Sequence, residues 1–144
     1  MSTNTRLIEA SPEMVWDVLA DGWLYALWVV GTTRMREVDD HWPAVGAKLH
    51  HSAGVWPLVL DDNTEVLDVD PGRSVKLRAR GWPMGEAEVV IILTPEDSRT
   101  RMSLTEDAVK GPGLLVPGYL RHLMIKWRNV EALDRFANIA EGRR

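Results

Sequence analysis

The chain has 144 residues, 45% apolar and 26% charged, with a net charge of −4 and no cysteine. That is the profile of one folded domain able to bury a core unaided. The lack of thiols excludes disulfides, Cys-ligated zinc and thiol catalysis, and the mild acidity argues against a nucleic-acid binder, which needs a concentrated basic surface.

Residues 1–9 hold no apolar stretch of signal-peptide length, and no run approaches a membrane span. Stable membrane insertion is therefore not expected, and a cytoplasmic location is the default expectation. Seven tryptophans stand against a single phenylalanine. Such a bias suits either the shaped wall of an apolar cavity or a Trp-rich core.

In chain order, residues 3–10 alternate as a first strand. Ser11-Pro12-Glu13 then opens a helix: Ser11 caps it, Pro12 takes the first position, where a missing N–H costs nothing, and Glu13 suits the positive end. Met14, Val15, Val18 and Leu19 form its apolar stripe, Gly22 breaks it, and a second short helix follows over residues 23–28. From Thr32 the period changes to that of strands, predicted over 32–39, 47–53, 55–70, 74–82, 86–94 and 100–107. Turn residues separate them at Asp39-Asp40, Asp70-Pro71-Gly72, Pro83-Met84-Gly85 and Pro95-Glu96-Asp97-Ser98. The 55–70 segment is too long for one straight strand, so Asp61 to Asn63 is expected to form a hairpin turn or a bulge. Short links between successive strands imply an antiparallel meander.

Val75, Leu77 and Ala79 share one face and Lys76, Arg78 and Arg80 the other. Ala87, Val89, Ile91 and Leu93 oppose Glu86 and Glu88, while Met102 and Leu104 oppose Arg99 and Arg101. The outer faces then read basic, acidic, basic, a pattern of favourable cross-strand pairs, so these arginines are read as structural. After an apolar loop, Leu114-Leu115-Val116, edged by Gly113 and Pro117, a long helix runs to about Ala140. Leu120, Leu123, Met124, Trp127, Val130, Leu133, Ala137 and Ala140 recur at helical spacing and predict its buried face, with Arg121, Arg128, Asn129, Glu131 and Arg135 mostly elsewhere on the wheel. No internal repeat or linker divides residues 1–144, which read as one domain. The expected class is α+β: a curved antiparallel sheet of about seven strands around a long C-terminal helix, with two short helices after the first strand.

The stretch from Ile8 to Asp21, with Pro12, Val15-Trp16 and Leu19 at its centre, resembles the opening strand and helix of the START-like (helix-grip, SRPBCC) superfamily. Trp28, Val45-Gly46-Ala47, Val66-Leu67-Asp68-Val69-Asp70-Pro71 and Arg128-Asn129-Val130-Glu131-Ala132-Leu133 also resemble its polyketide cyclase/dehydrase and lipid-transport group. The likeness spans nearly the whole chain. It implies an apolar cavity between sheet and long helix, with its mouth near the second helix and the loop before the last. It carries no catalytic motif that transfers residue by residue, and fold does not fix function.

Several candidates follow. Trp42-Pro43, Trp56-Pro57 and Trp82-Pro83 are either an aromatic rim of the mouth or packed strand ends. Of His50-His51, only one faces inward; Leu49 reads as core, which turns His51 to the concave side, where it is either an acid/base or a hydrogen-bonded interior histidine. No second histidine stands at ligand spacing, since His41 and His122 lie in unrelated contexts, so no metal site and no cofactor are expected. Glu106 continues the inward register of Thr100, Met102 and Leu104, where desolvation favours a protonated carboxyl suited to proton transfer; the bland reading is a strand-end carboxylate reaching water. Tyr25 and Tyr119 are placed near the mouth, able to donate to a ligand carbonyl, and residues 114–116 are either a gate or a loop pinned to the core.

The first functional expectation is binding of a small hydrophobic, lipid-like or polycyclic ligand. Trp28, Trp56, Trp82, Leu115, Leu120, Leu123, Met124 and Trp127 would line it, with Tyr25 and Tyr119 at the mouth and His51 and Glu106 as polar anchors. The alternative is a polyketide cyclase/aromatase-type enzyme in the same cavity, with His51 or Glu106 moving protons. A partner-binding adaptor ranks third, and a homodimer rests on general grounds alone.

Overall fold

The computed structural model describes residues 2–30, 32–53, 60–81, 85–115 and 117–143. The elements run β1 (Ser2–Ile8), α1 (Pro12–Ala20), a 3-10 turn (Gly22–Leu24), α2 (Tyr25–Trp28), β2 (Thr32–Val38), β3 (Lys48–Ala53), β4 (Leu60–Asp70), β5 (Ser74–Gly81), β6 (Gly85–Glu96), β7 (Arg99–Lys110), a second 3-10 turn (Pro112–Leu115) and α3 (Gly118–Gly142). The seven strands form one antiparallel sheet in the order β1-β7-β6-β5-β4-β3-β2. β2 to β7 are a meander, and β1 pairs back onto β7. With α1 and α2 inserted after β1 and α3 laid against the sheet, this is the helix-grip architecture.

Local chemistry fixes the elements. Ser11 caps α1 by accepting from the Met14 N–H at 3.3 Å, with Pro12 in the first helical position. Gly22 follows α1 where the chain presses on β3: a Cβ there would lie 2.5 Å from Leu49 Cδ2, so a larger residue would force the Leu49 side chain to shift. On the outer sheet face Arg78 donates to Glu88 and Arg80 to Glu86, each at 2.8 Å. Lys76 reaches Glu88 and Arg80 reaches Glu65, both at 3.6 Å. These contacts form an ion-pair ladder across β4, β5 and β6 on the outer face, whereas Arg99 and Arg101 of β7 pair with Glu9 and Glu96 and not with Glu86 and Glu88.

Three expectations change. Asp61 to Asn63 form no turn but lie inside β4, opposite Ser52, His51 and His50. The polar run is tolerated because its side chains find partners: Ser52 Oγ donates to Asp61 at 2.6 Å, and Arg80 donates to Asn63 at 2.8 Å. β6 also continues through Pro95 and Glu96, leaving Asp97-Ser98 as the turn, with Asp97 at φ 59°. Aspartate is among the few residues that adopt this region readily.

The third change concerns α3. Its buried residues are Asn129, Ala132, Leu133, Phe136, Ala137 and Ala140. Phe136, the chain's one phenylalanine, is the largest fully buried side chain among the described residues. Leu120, Leu123, Met124, Trp127 and Val130, expected on the buried face, are instead exposed. Counting about 100° per residue back from the buried stripe, Leu120, Met124 and Trp127 fall on roughly the opposite side. The helix carries two apolar stripes, one in the core and one in water.

This division predicts unequal costs. Phe136→Ala should lower the unfolding free energy by about 3–5 kcal/mol, whereas Leu123→Ala on the same helix should stay within about 0.5 kcal/mol. Urea denaturation of the two variants measures both.

Candidate functional site

The concave face changes character along the strands. One cross-strand row contains Val66, Leu77, Val89 and Glu106, and the next contains Thr64, Ala79, Ala87 and Ala108. Large side chains give way to three alanines, each half-buried. Along this row the floor of the concave face is made of small side chains. Beyond the alanine row, His51 of β3 stands opposite Asp62 of β4.

His51 faces inward, as Leu49 implied, and is only 3% exposed. Its Nε2 lies 2.9 Å from Thr64 Oγ1, and Thr64 Oγ1 lies 3.1 Å from the Tyr25 hydroxyl. The Tyr25 ring stacks on the imidazole, with centroids 5.6 Å apart, and meets Trp28 edge-on at 5.5 Å. Arg36 braces the cluster from β2, donating to the carbonyls of His51 at 3.3 Å and Asp62 at 3.0 Å. The imidazole Nδ1 is buried and has no hydrogen-bond partner among the described residues. A bare polar atom of this kind is costly in an interior and calls for an explanation.

Burial lowers the His51 pKa from 6.5; the Asp62 carboxylate opposes this, while Arg36 and His50 reinforce it. The ring is therefore neutral at neutral pH, with one nitrogen protonated. Tyr25 shifts the opposite way: burial raises its pKa above 10.0, against the Thr64 hydrogen bond and the charge of Arg128. Its hydroxyl stays a donor. If His51 carries its proton on Nε2 and gives it to Thr64, and Thr64 gives its own to Tyr25, then Nδ1 is a free base and the phenolic proton is free for a ligand.

Glu106 lies on the concave face of β7 and is buried, as its register implied. It is not an isolated acid, because Arg128 of α3 donates to it. The bland expectation, a strand-end carboxylate reaching water, is replaced by a helix-to-sheet ion pair. Burial lowers the Arg128 pKa, and nearby Tyr25 raises it again. In sheet order, β4, β5 and β6 stand between the strands of Glu106 and His51, so the two do not meet directly. Arg128 and Tyr25 stand between them. Asn129, next to Arg128, is also buried, and its Nδ2 has no hydrogen-bond partner among the described residues.

The other expected residues divide. Trp28 is buried, packing edge-on against Phe136 at 5.2 Å. Behind it, toward α1, Trp16, Leu19 and Trp42 leave a void of about 10 Å³, roughly one water's worth, so that side is core. Trp42 follows the packed reading of the Trp-Pro pairs, its indole donating to the Leu19 carbonyl at 3.2 Å. Trp56-Pro57, Trp82-Pro83 and Val116 lie outside the described residues. Leu115, Tyr119, Leu120, Leu123, Met124 and Trp127 are all exposed, Trp127 by 69%. Arg121 donates to the Leu114 carbonyl at 3.3 Å, tying the turn before α3 to its first helical turns. Among the described residues, no group of His, Asp or Glu side chains could hold a metal ion.

Sequence reasoning missed Thr64, Asp62, Arg36 and Arg128. Arg128 had a signal: an inward carboxylate on β7 needs a cation, and the facing helix offers one at mid-length. A threonine and an aspartate in a strand carry no comparable mark.

The depressed His51 pKa has a sign that can be checked. The folded state holds the neutral ring, so its stability is fully present above pH 6.5, the unfolded value, and is lost as pH falls through the lower folded pKa. His51→Gln should flatten this acid-side loss when urea unfolding is compared at about pH 7.5 and about pH 5.5.

The sequence profile described as Polyketide cyclase / dehydrase and lipid transport matches residues 2–141. Among curated proteins, none matches the sequence significantly. Protein NE0264 of Nitrosomonas europaea is 16% identical with a TM-score of 0.74, covering 99% of this chain and 94% of its own. The Zhui aromatase/cyclase from Streptomyces sp. R1128 is 22% identical with a TM-score of 0.73, at 98% and 93% coverage. StfQ, a di-domain ARO/CYC from the steffimycin biosynthetic pathway, is 12% identical with a TM-score of 0.72, and this chain covers 50% of its length. These likenesses fix the fold, and the profile fixes the kinship: the chain belongs to the polyketide cyclase/dehydrase and lipid-transport family of the helix-grip superfamily.

Proposed function

We propose that this protein is a cyclase/aromatase-type enzyme acting on a polyketone-like substrate held against the concave face of the sheet. The observation that carries the reading is the His51–Thr64–Tyr25 chain, with its unpartnered Nδ1, on a concave face where Thr64 continues into a row of alanines. The family supports a substrate of this class, and similar folds include proteins described as aromatase/cyclases.

The chemistry follows from the groups. A methylene between two carbonyls is acidic enough for neutral imidazole to deprotonate. Nδ1 of His51 takes that proton, and the resulting enolate carbon attacks a second carbonyl of the same chain. The Tyr25 hydroxyl donates to the oxygen on which charge develops. A carbon–carbon bond forms, and the new alkoxide takes the proton from the His51 imidazolium, which gives an alcohol and restores the neutral base. Loss of a further α-proton to His51 and departure of the hydroxyl as water, protonated by the imidazolium, completes an aldol condensation. No electrons are exchanged with a partner. The apolar walls fold the chain so that the reacting carbons meet. The Glu106–Arg128 pair keeps a fixed cation near Tyr25, suited to holding a carbonyl or carboxylate end of the substrate.

A carrier without turnover would use the same bowl, and catalysis separates the two. Incubated with a synthetic poly-β-ketone thioester, the protein should accelerate formation of an aromatic product. His51→Ala should lower kcat by about 10²-fold or more while substrate affinity changes little, and Tyr25→Phe should lower it less. The acid limb of the wild-type rate profile should lie below pH 6.5, because the base is the neutral ring and burial lowers its pKa. Tight binding without acceleration would leave only the carrier reading.

A further inference from the structure

The exposed stripe of α3 takes no part in that chemistry. Leu115, Tyr119, Leu123, Met124 and Trp127 are 86%, 75%, 62%, 55% and 69% exposed, and Leu120 joins them at 42%. Six large apolar side chains on one half-helix and its leading turn expose more apolar surface than soluble monomers usually leave uncovered.

The charge around it is as selective. Although the chain carries −4 overall, residues 108–130 contain Lys110, Arg121, Lys126 and Arg128 and no aspartate or glutamate. Arg128 is engaged with Glu106, and Lys110 lies 3.9 Å from Glu86. On the helical wheel, Lys126 falls on one side of the apolar stripe and Arg121 on the other. Cations flanking a convex ridge of Leu, Met, Trp and Tyr are the arrangement of a helix lying in a membrane interface, where apolar chains enter the acyl boundary and basic ones stay at the headgroups.

We propose that the outer face of the first half of α3, with the tip at Leu115, docks onto an anionic lipid bilayer surface. A second copy of the chain is a poorer occupant, since a two-fold axis through this face would set Arg121 and Lys126 against the same cations. Docking is peripheral: no helix among the described residues is long and apolar enough to cross a membrane, and the second half of α3 is held in the core. The proposal stands apart from the role given to His51.

The test uses vesicles of phosphatidylcholine, with and without phosphatidylglycerol. Since the chain has no cysteine, Leu123→Cys or Leu120→Cys accepts a single environment-sensitive fluorophore, and Thr94→Cys on the outer sheet face serves as control. Flotation with the anionic vesicles alone is expected, with a several-fold rise in emission from positions 120 and 123 and none from 94. Lys126→Gln and Arg121→Gln should each weaken binding about fivefold, corresponding to about 1 kcal/mol per charge at the surface. Thermal melts confirm that each variant remains folded. No flotation with either vesicle would overturn the proposal and leave an acidic protein as the partner chemistry. Equal binding to both vesicles would overturn the electrostatic part. A dimer that buries the probe without lipid would assign the face to a second copy.

Discussion

The site is held together by the contact of Phe136 with Trp28. Phe136 ties the second half of α3 to α2, their rings meeting edge-on at 5.2 Å, and α2 also carries Tyr25. Through Tyr25 the contact fixes the stack on His51, and through α3 it fixes Arg128 over Glu106. A sheet alone would leave its concave side in water. One helix, anchored at one end, turns that side into an interior with two linked polar groups in it.

The anchoring of α3 is unequal along its length. Where α3 is buried it brings small residues, Ala132, Ala137 and Ala140, that allow close approach around one aromatic. Toward its N-terminus the helix keeps large apolar side chains in water, while the sheet below thins to alanines. A tightly filled core would need neither arrangement. One end of the helix is thus closed core, and the other leaves large apolar side chains exposed.

Most of the fold was legible because turn residues and strand alternation are local. Leu49 alone was enough to turn His51 inward, since side chains alternate along a strand. The register of Thr100, Met102 and Leu104 did the same for Glu106. Asp61 to Asn63 were misread because turn chemistry and a polar cluster inside a paired strand share a composition; only the cross-strand partners Ser52 and Arg80 distinguish them. On α3 the wheel gave the right period and the wrong face for its first half. Leucine, methionine and tryptophan outweigh alanine and asparagine in any hydrophobic count, yet here the bulky residues lie outside. The Thr64 bridge was invisible because it depends on pairing across strands that no local pattern records.

The central claim is that His51 is a neutral imidazole whose buried, unpartnered Nδ1 serves as the base. Nitrogen-15 NMR of the imidazole measures this directly. The account predicts the Nε2–H tautomer at neutral pH, with Nδ1 unprotonated and titration only below pH 6.5. A protonated ring at neutral pH, or an Nδ1–H tautomer accepting from Thr64, would contradict it and remove the base from the proposed chemistry.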